Sequence, residues 1–124
     1  MELLYKAECY EIIGLCMEVH RELGPGFSEV IYKDALEIEL KEHNIPYTRE
    51  KEFTARYKKH QLKRNYDVDF IIRNAIILEA KAVSCIINDF VKVTMNYLAV
   101  SRCKLGIIAN FGESSFTYRR VILT

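Results

Sequence analysis

The sequence predicts an α/β or α+β domain with a mixed sheet covered on both faces, and three observations carry that prediction. Two segments before Ile45 repeat apolar residues at helical spacing, the period switches to strand-like alternation at Tyr47, and a continuous apolar run, LGIIAN, follows a third helical segment. The length of 124 residues suits a single compact domain, 1–124, with one core and is too short for two ordinary ones.

From Leu3 to Leu23, Leu3, Ala7, Tyr10, Ile13 and Met17 recur on one helical face, widened by Leu4, Ile12, Cys16 and Val19. Gly24-Pro25-Gly26 stops this helix, because glycine and proline together break helices and permit a sharp turn. A second helix is expected from Ser28 to His43, with Ser28 as N-cap and Glu29 in the first turn, where the helix dipole favours an acid. Asn44-Ile45-Pro46 ends it. Tyr47 to Tyr57, Leu62 to Ile72 and Ala75 to Val83 then read as three strands of an antiparallel meander, joined by Lys58-Lys59-His60-Gln61 and by Arg73-Asn74. A third helix from Ile86 to Ser101 precedes a strand from Lys104 to Asn110, whose apolar run suits burial on both faces. Ser115 to Leu123 supplies a closing strand.

Composition narrows the class. Half of the residues are hydrophobic and 28% are charged, the balance of a globular protein rather than a disordered one. No apolar run approaches bilayer length and the acidic start lacks a signal-peptide pattern, so a cytoplasmic location is expected. Cys9, Cys16, Cys85 and Cys103 form no Cys-x-x-Cys pair and the three histidines are scattered, which gives a zinc site no support. The net charge of +1 conceals an asymmetry, because ten acids face four bases before Pro46 whereas bases are in excess afterwards. Arg56, Lys58, Lys59, Lys63 and Arg64 crowd around one turn. Such a patch can be a solvated hairpin or a contact for nucleic-acid phosphates.

The chemistry concentrates in AIILEAKAVS, where Glu79 and Lys81 stand in apolar surroundings that make charge costly unless it is paired or used. Alternation along a strand puts these two on one face, with Leu78 and Ala80 on the other, and Asp67 and Asp69 likewise share a face of the preceding strand. If the strands pair through Arg73-Asn74, the acids and the lysine meet near one sheet edge. Two converging carboxylates suit a hard divalent cation such as Mg²⁺ or Mn²⁺, which prefers oxygen ligands. The same spacing also suits an ion pair of Lys81 with Asp67 or Asp69, with Glu79 turned to solvent.

Asp69 followed ten residues later by Glu79-Ala80-Lys81 resembles the Asp…Glu-x-Lys signature of the PD-(D/E)XK nuclease superfamily. Gly26-Phe27-Ser28-Glu29-Val30-Ile31-Tyr32 resembles, more particularly, the motif of the GxxExxY family of small bacterial proteins within it. The order of the Arg49-Glu50 strand, ILEAKAV, Asn96-Tyr97-Leu98, LGIIANFG and FTYRRVIL agrees over nearly the whole chain. The resemblance implies a restriction-endonuclease-like core: a mixed β-sheet flanked by helices, with two N-terminal helices. It also implies Asp69 and Glu79 as metal ligands, Lys81 as the catalytic lysine and Glu29 as an additional acid reaching the metal directly or through water. Glu29 could instead pair with Lys33, four residues on. Tyr32, Asn96 and Tyr97 join Lys58, Lys59, Lys63 and Arg64 as candidates for substrate binding, Tyr32 being equally suited to packing. Related sequences usually carry glutamine where this chain has Val93; Asn96 or Thr94 could substitute for it.

The function expected from these readings is metal-dependent hydrolysis of phosphodiester bonds, in DNA before RNA, with a homodimer or a protein partner as options. The alternative is a catalytically weak or inactive module with the nuclease fold that binds nucleic acid or another protein.

Overall fold

The computed structural model describes residues 4–123. Its elements are α1 (Lys6–Leu23), α2 (Glu29–Glu42), β1 (Tyr47–Tyr57), β2 (His60–Ile72), β3 (Ile76–Lys81), α3 (Asn88–Ser101), β4 (Leu105–Asn110) and β5 (Thr117–Ile122). The helix start expected at Leu3 lies outside the described residues. Gly24 ends α1 with a positive φ of 68°, a conformation open to glycine without a Cβ clash. Ser28 occupies the N-cap position of α2, but its hydroxyl makes no capping bond.

The five strands form one mixed sheet in the order β1-β2-β3-β4-β5. β1, β2 and β3 are the expected antiparallel meander, and α3 carries the chain across so that β4 runs parallel to β3. β5 returns antiparallel to β4. The β2–β3 turn holds both Arg73 and Asn74 at positive φ, 55° and 56°, and closes with the Ala75 N–H on the Ile72 carbonyl at 3.1 Å. That is the mirror-image turn whose twist matches an antiparallel pair. The β1–β2 turn is tighter than expected, since Tyr57 pairs with His60 and only Lys58 and Lys59 lie between them.

Two hydrophobic cores sandwich the sheet. Ile12, Cys16, Tyr32 and Leu36 of α1 and α2 meet Phe70, Leu78, Ala80 and Ile107 on one face. On the other, Leu98 of α3, with Phe90 and Tyr97 at its margin, meets Val68, Ile71, Ile77 and Ile108. β4 is buried throughout, as its apolar run implies, and β3 is buried up to Lys81. Gly106 lets α3 approach β4, because a Cβ there would stand 2.7 Å from the Thr94 methyl. All four cysteines are free, with Cys85 exposed and the other three buried. Among the described residues, no helix is long and apolar enough to cross a membrane.

Besides a shift of the β1–β2 register between Thr54 and Arg56, near the ribbon tip, the hydrogen-bond ladder is interrupted beside Asp69. β2 pairs with β3 only from Phe70–Leu78 to Ile72–Ile76, whereas β3 continues alongside β4 as far as Lys81–Asn110. In the β1–β2 ladder the rungs run from Arg49–Phe70 to Lys51–Val68, with none between Glu50 and Asp69, and Glu50 holds φ at 57°. Alternation slips there too. Phe70 and Ile72 belong to the core under α1 and α2 and Ile71 to the other, yet Val68 sides with Ile71.

Candidate active site

Asp69 and Glu79 stand opposite each other where the ladder stops, and their carboxylates replace the missing rungs. The Asp69 N–H donates to Glu79 Oε2 at 2.9 Å, and the Ala80 N–H donates to Asp69 Oδ2 at 2.9 Å. Backbone donors therefore fix one oxygen of each acid and hold the two side chains together between diverging strands. β3 is the central strand, so the pair lies inside the sheet rather than along its lateral edge, which corrects the placement expected from strand alternation. Glu79 is buried and not turned to solvent. Burial first and the adjacent Asp69 carboxylate second push its pKa well above the ordinary carboxylate range, and the Lys81 ammonium offsets only part of this.

Lys81 forms no ion pair with Asp67 or Asp69. Its ammonium lies 4.8 Å from the centre of the Phe90 ring of α3, a cation–π contact that holds the charge on the face shared with Glu79. Two devices fix the chain just after it. Buried Asn110 accepts the Val83 N–H and donates to the Val83 carbonyl, both at 3.0 Å, and the Phe111 N–H bonds the Lys81 carbonyl at 2.8 Å. Gly112 then passes so close that any Cβ would collide with the Val83 backbone. Because Asn110 takes the Val83 polar groups, β3 ends at Lys81 rather than at Val83.

Glu29 arrives from the start of α2, where its Oε2 accepts the Ala82 N–H at 3.4 Å. Among the described residues, no three His, Cys, Asp or Glu side chains gather closely enough to hold an ion together, so Glu29 stands apart from the Asp69–Glu79 pair. Its neighbour along the helix face, Lys33, does not pair with it. Lys33 instead reaches Glu50 Oε1 at 2.7 Å and Asp69 Oδ1 at 3.4 Å. Burial lowers the Lys33 pKa, but the Glu50 and Asp69 carboxylates outweigh it and keep the ammonium above its usual value.

The remaining candidates separate. Tyr32 is fully buried, stacks on Phe111 at 4.7 Å, and donates its hydroxyl to the Gly24 carbonyl at 2.6 Å. It fixes the turn into α2 and has no surface for substrate, which removes it from the binding candidates. Tyr97 faces the acids across the α3 side. Burial, then Glu79 and Asp69, push its phenol up to about 12, so the hydroxyl stays protonated. Asn96 is exposed on α3. Asp67 is exposed on β2 opposite Glu52 and takes no part in the carboxylate pair. Val93 is 41% exposed, one helical turn from both Phe90 and Tyr97 on the stripe that faces the site. Lys58, Lys59, Lys63 and Arg64 are all exposed, far along the β1–β2 ribbon from Asp69.

Sequence reasoning did not assign Lys33, Glu50 or Asn110 to the site. Signals for two of them existed: Lys33 follows Glu29 by four residues, hence on one helix face, and Asn110 is the polar residue of an otherwise apolar strand.

A five-stranded mixed sheet flanked by helices, with an acid pair and a lysine at the end of its central strand, defines a nuclease-like fold. The family model of the PD-(D/E)XK nuclease superfamily matches residues 6–121, and the chain belongs to that superfamily. Among solved structures, the crystal structure of SSO0001 matches with a TM-score of 0.63 and 20% identity over 75% of this chain. This chain spans 48% of that one, and the likeness concerns the fold alone. No curated protein matches.

Proposed function

We propose that the protein is a metal-dependent nuclease that hydrolyses phosphodiester bonds in DNA, acting in the cytoplasm as one domain over 1–124, and that it belongs to the GxxExxY branch of the superfamily. The observation that carries this reading is the reciprocal bonding of Asp69 and Glu79. With Asp69 Oδ2 and Glu79 Oε2 committed to backbone donors, Glu79 Oε1 and Asp69 Oδ1, the latter only 3.4 Å from the Lys33 ammonium, are the oxygens that could serve an ion. The donor set fits a hard cation: two carboxylates, no thiolate, no imidazole, and enough burial that the Glu79 charge needs a partner. Bound Mg²⁺ or Mn²⁺ would supply a Lewis acid for activating water and for offsetting phosphoryl charge.

Asp69 and Glu79 would hold that ion, and Glu29 would contact it through water. Lys81, steadied over Phe90, would orient the nucleophile and balance negative charge as it builds on phosphate oxygens. The ribbon beyond Asp69 supplies reach. Its tip at Lys58-Lys59 lies ten residues along β2 from Asp69 and eight along β1 from Glu50, roughly 30 Å at strand rise, about one turn of duplex. Lys58, Lys59, Lys63 and Arg64 would therefore contact phosphates away from the cut, with Asn96 and Tyr97 contacting substrate nearer to it.

Cleavage of plasmid and oligonucleotide DNA with Mg²⁺, Mn²⁺ or chelator tests this. Activity that needs the metal and is lost in Lys81→Ala and in Glu79→Ala supports the reading. Equal background in all three proteins on single- and double-stranded DNA and on RNA would favour a binding module with the nuclease fold.

A further inference from the structure

Lys33 occupies a position that the hydrolytic reading leaves unused. Its side chain is 16% exposed and its ammonium bridges two acids on neighbouring strands, Glu50 at 2.7 Å and Asp69 at 3.4 Å. The Asp69 oxygen it touches is Oδ1. Because Oδ2 is committed to the Ala80 N–H, Oδ1 is the oxygen Asp69 has left to offer a cation, and an ammonium now stands beside it.

Glu50 gives the bridge its second half. It sits inside β1, as the fourth residue of the strand, with φ at 57°, a left-handed conformation that a residue with a Cβ adopts only when its surroundings enforce it. The outlier coincides with the missing rung between Glu50 and Asp69, and the Glu50 carboxylate lies against Lys33. A strained residue that delivers an acceptor to the ammonium touching Asp69 is a feature that packing alone does not require.

We propose that Lys33 is a built-in counter-ion that competes with the divalent cation for Asp69 Oδ1, and that Glu50 is the acceptor to which Lys33 retreats when the cation enters. The inference rests on Asp69 and Glu79 being the cation site. Two positive charges cannot share one carboxylate oxygen without mutual repulsion, so entry of the ion requires the ammonium to leave. The shorter bond to Glu50 shows where it can go: a small displacement of Nζ toward Glu50 keeps the charge paired while freeing Oδ1. In the metal-free protein the same ammonium offsets the repulsion between Asp69 and Glu79. Lys33 is thus a positioning residue that sets the affinity of the site.

The test is a calorimetric Mn²⁺ titration of the intact protein as wild type, Lys33→Gln, Glu50→Gln and Asp69→Asn. Lys33→Gln should bind Mn²⁺ about tenfold more tightly, the order expected for removing one partly buried like charge. Glu50→Gln should bind it several-fold more weakly, because Lys33 is then left with Asp69 alone. Lys33→Gln should also melt at a lower temperature than wild type in chelator and recover in saturating Mn²⁺. A purely structural role would weaken binding in both variants. Loss of binding in Asp69→Asn without a gain in Lys33→Gln overturns the inference alone. Unchanged binding in Asp69→Asn overturns the cation site and the inference together.

Discussion

The two halves of β2 are one strand with opposite characters. Phe70, Ile71 and Ile72 pair with β1 on one side and β3 on the other and are buried, whereas residues 60–65 pair with β1 alone and are exposed. The inner half belongs to the core of the sheet; the outer half is one side of a basic two-stranded ribbon. Asp69 stands at the join, where β3 leaves β2 and side-chain carboxylates take over the backbone donors. The difference teaches why the acids sit there. A continuous ladder would leave no gap for two carboxylates, and a free ribbon would not hold them rigidly.

The largest expected effect separates stability from reach. Leu78→Ala, in the inner region, should cost roughly 3 kcal/mol in urea unfolding because it opens a cavity in a fully buried core. Leu62→Ala, on the ribbon and 45% exposed, should stay within about 0.5 kcal/mol. Similar losses would mean that the ribbon is part of the cooperative core after all.

Replacing Lys58, Lys59, Lys63 and Arg64 with Gln should leave the unfolding midpoint nearly unchanged but flatten the salt dependence of duplex DNA binding. The slope of log K against log salt should fall by about 0.9 for each phosphate that the variant no longer neutralises. An unchanged slope would leave these residues as a solvated hairpin tip.

At the join itself, Glu79→Gln should raise the melting temperature in chelator at neutral pH by several degrees. Because burial and Asp69 raise the Glu79 pKa in the folded state, its protonated form is favoured there. That contribution is full below the unfolded carboxylate pKa and is lost as pH rises through the folded one, so metal-free stability should fall over that window in wild type and not in the variant. A variant that melts lower across the whole range would make Glu79 a purely structural hydrogen-bond acceptor.

The smallest effect concerns the α3 stripe. Val93 is partly exposed, so Val93→Gln should change stability by no more than about 0.5 kcal/mol. If a polar group between Phe90 and Tyr97 assists the site, nuclease activity should be equal or higher.

Much of this fold was legible in the sequence because its signals are local. The change of period at Tyr47, the Gly24-Pro25-Gly26 stop and the apolar run of β4 all correspond to observed element boundaries or burial. The pairing of Asp69 with Glu79 was legible because a short turn brings their strands together. Its form was not, since alternation assumes continuous strands and cannot show that the β2–β3 ladder ends at Phe70–Leu78. Lys33 and Glu50 escaped for a related reason. Their contact depends on how α2 packs across β1 and β2, and on a left-handed residue inside a strand of the kind that no β-propensity anticipates. Tyr32 could be read as packing or as binding until burial and its bond to Gly24 decided for packing.

The most direct test of the central claim is a crystal structure of wild-type protein soaked in Mn²⁺, read by anomalous scattering. One ion should appear, held by Asp69 and Glu79 through their carboxylate oxygens, with Lys33 drawn back to Glu50. A saturating soak that shows no ion there, with Lys33 still against Asp69, would contradict it and leave the acid pair as a structural substitute for two absent rungs of the sheet.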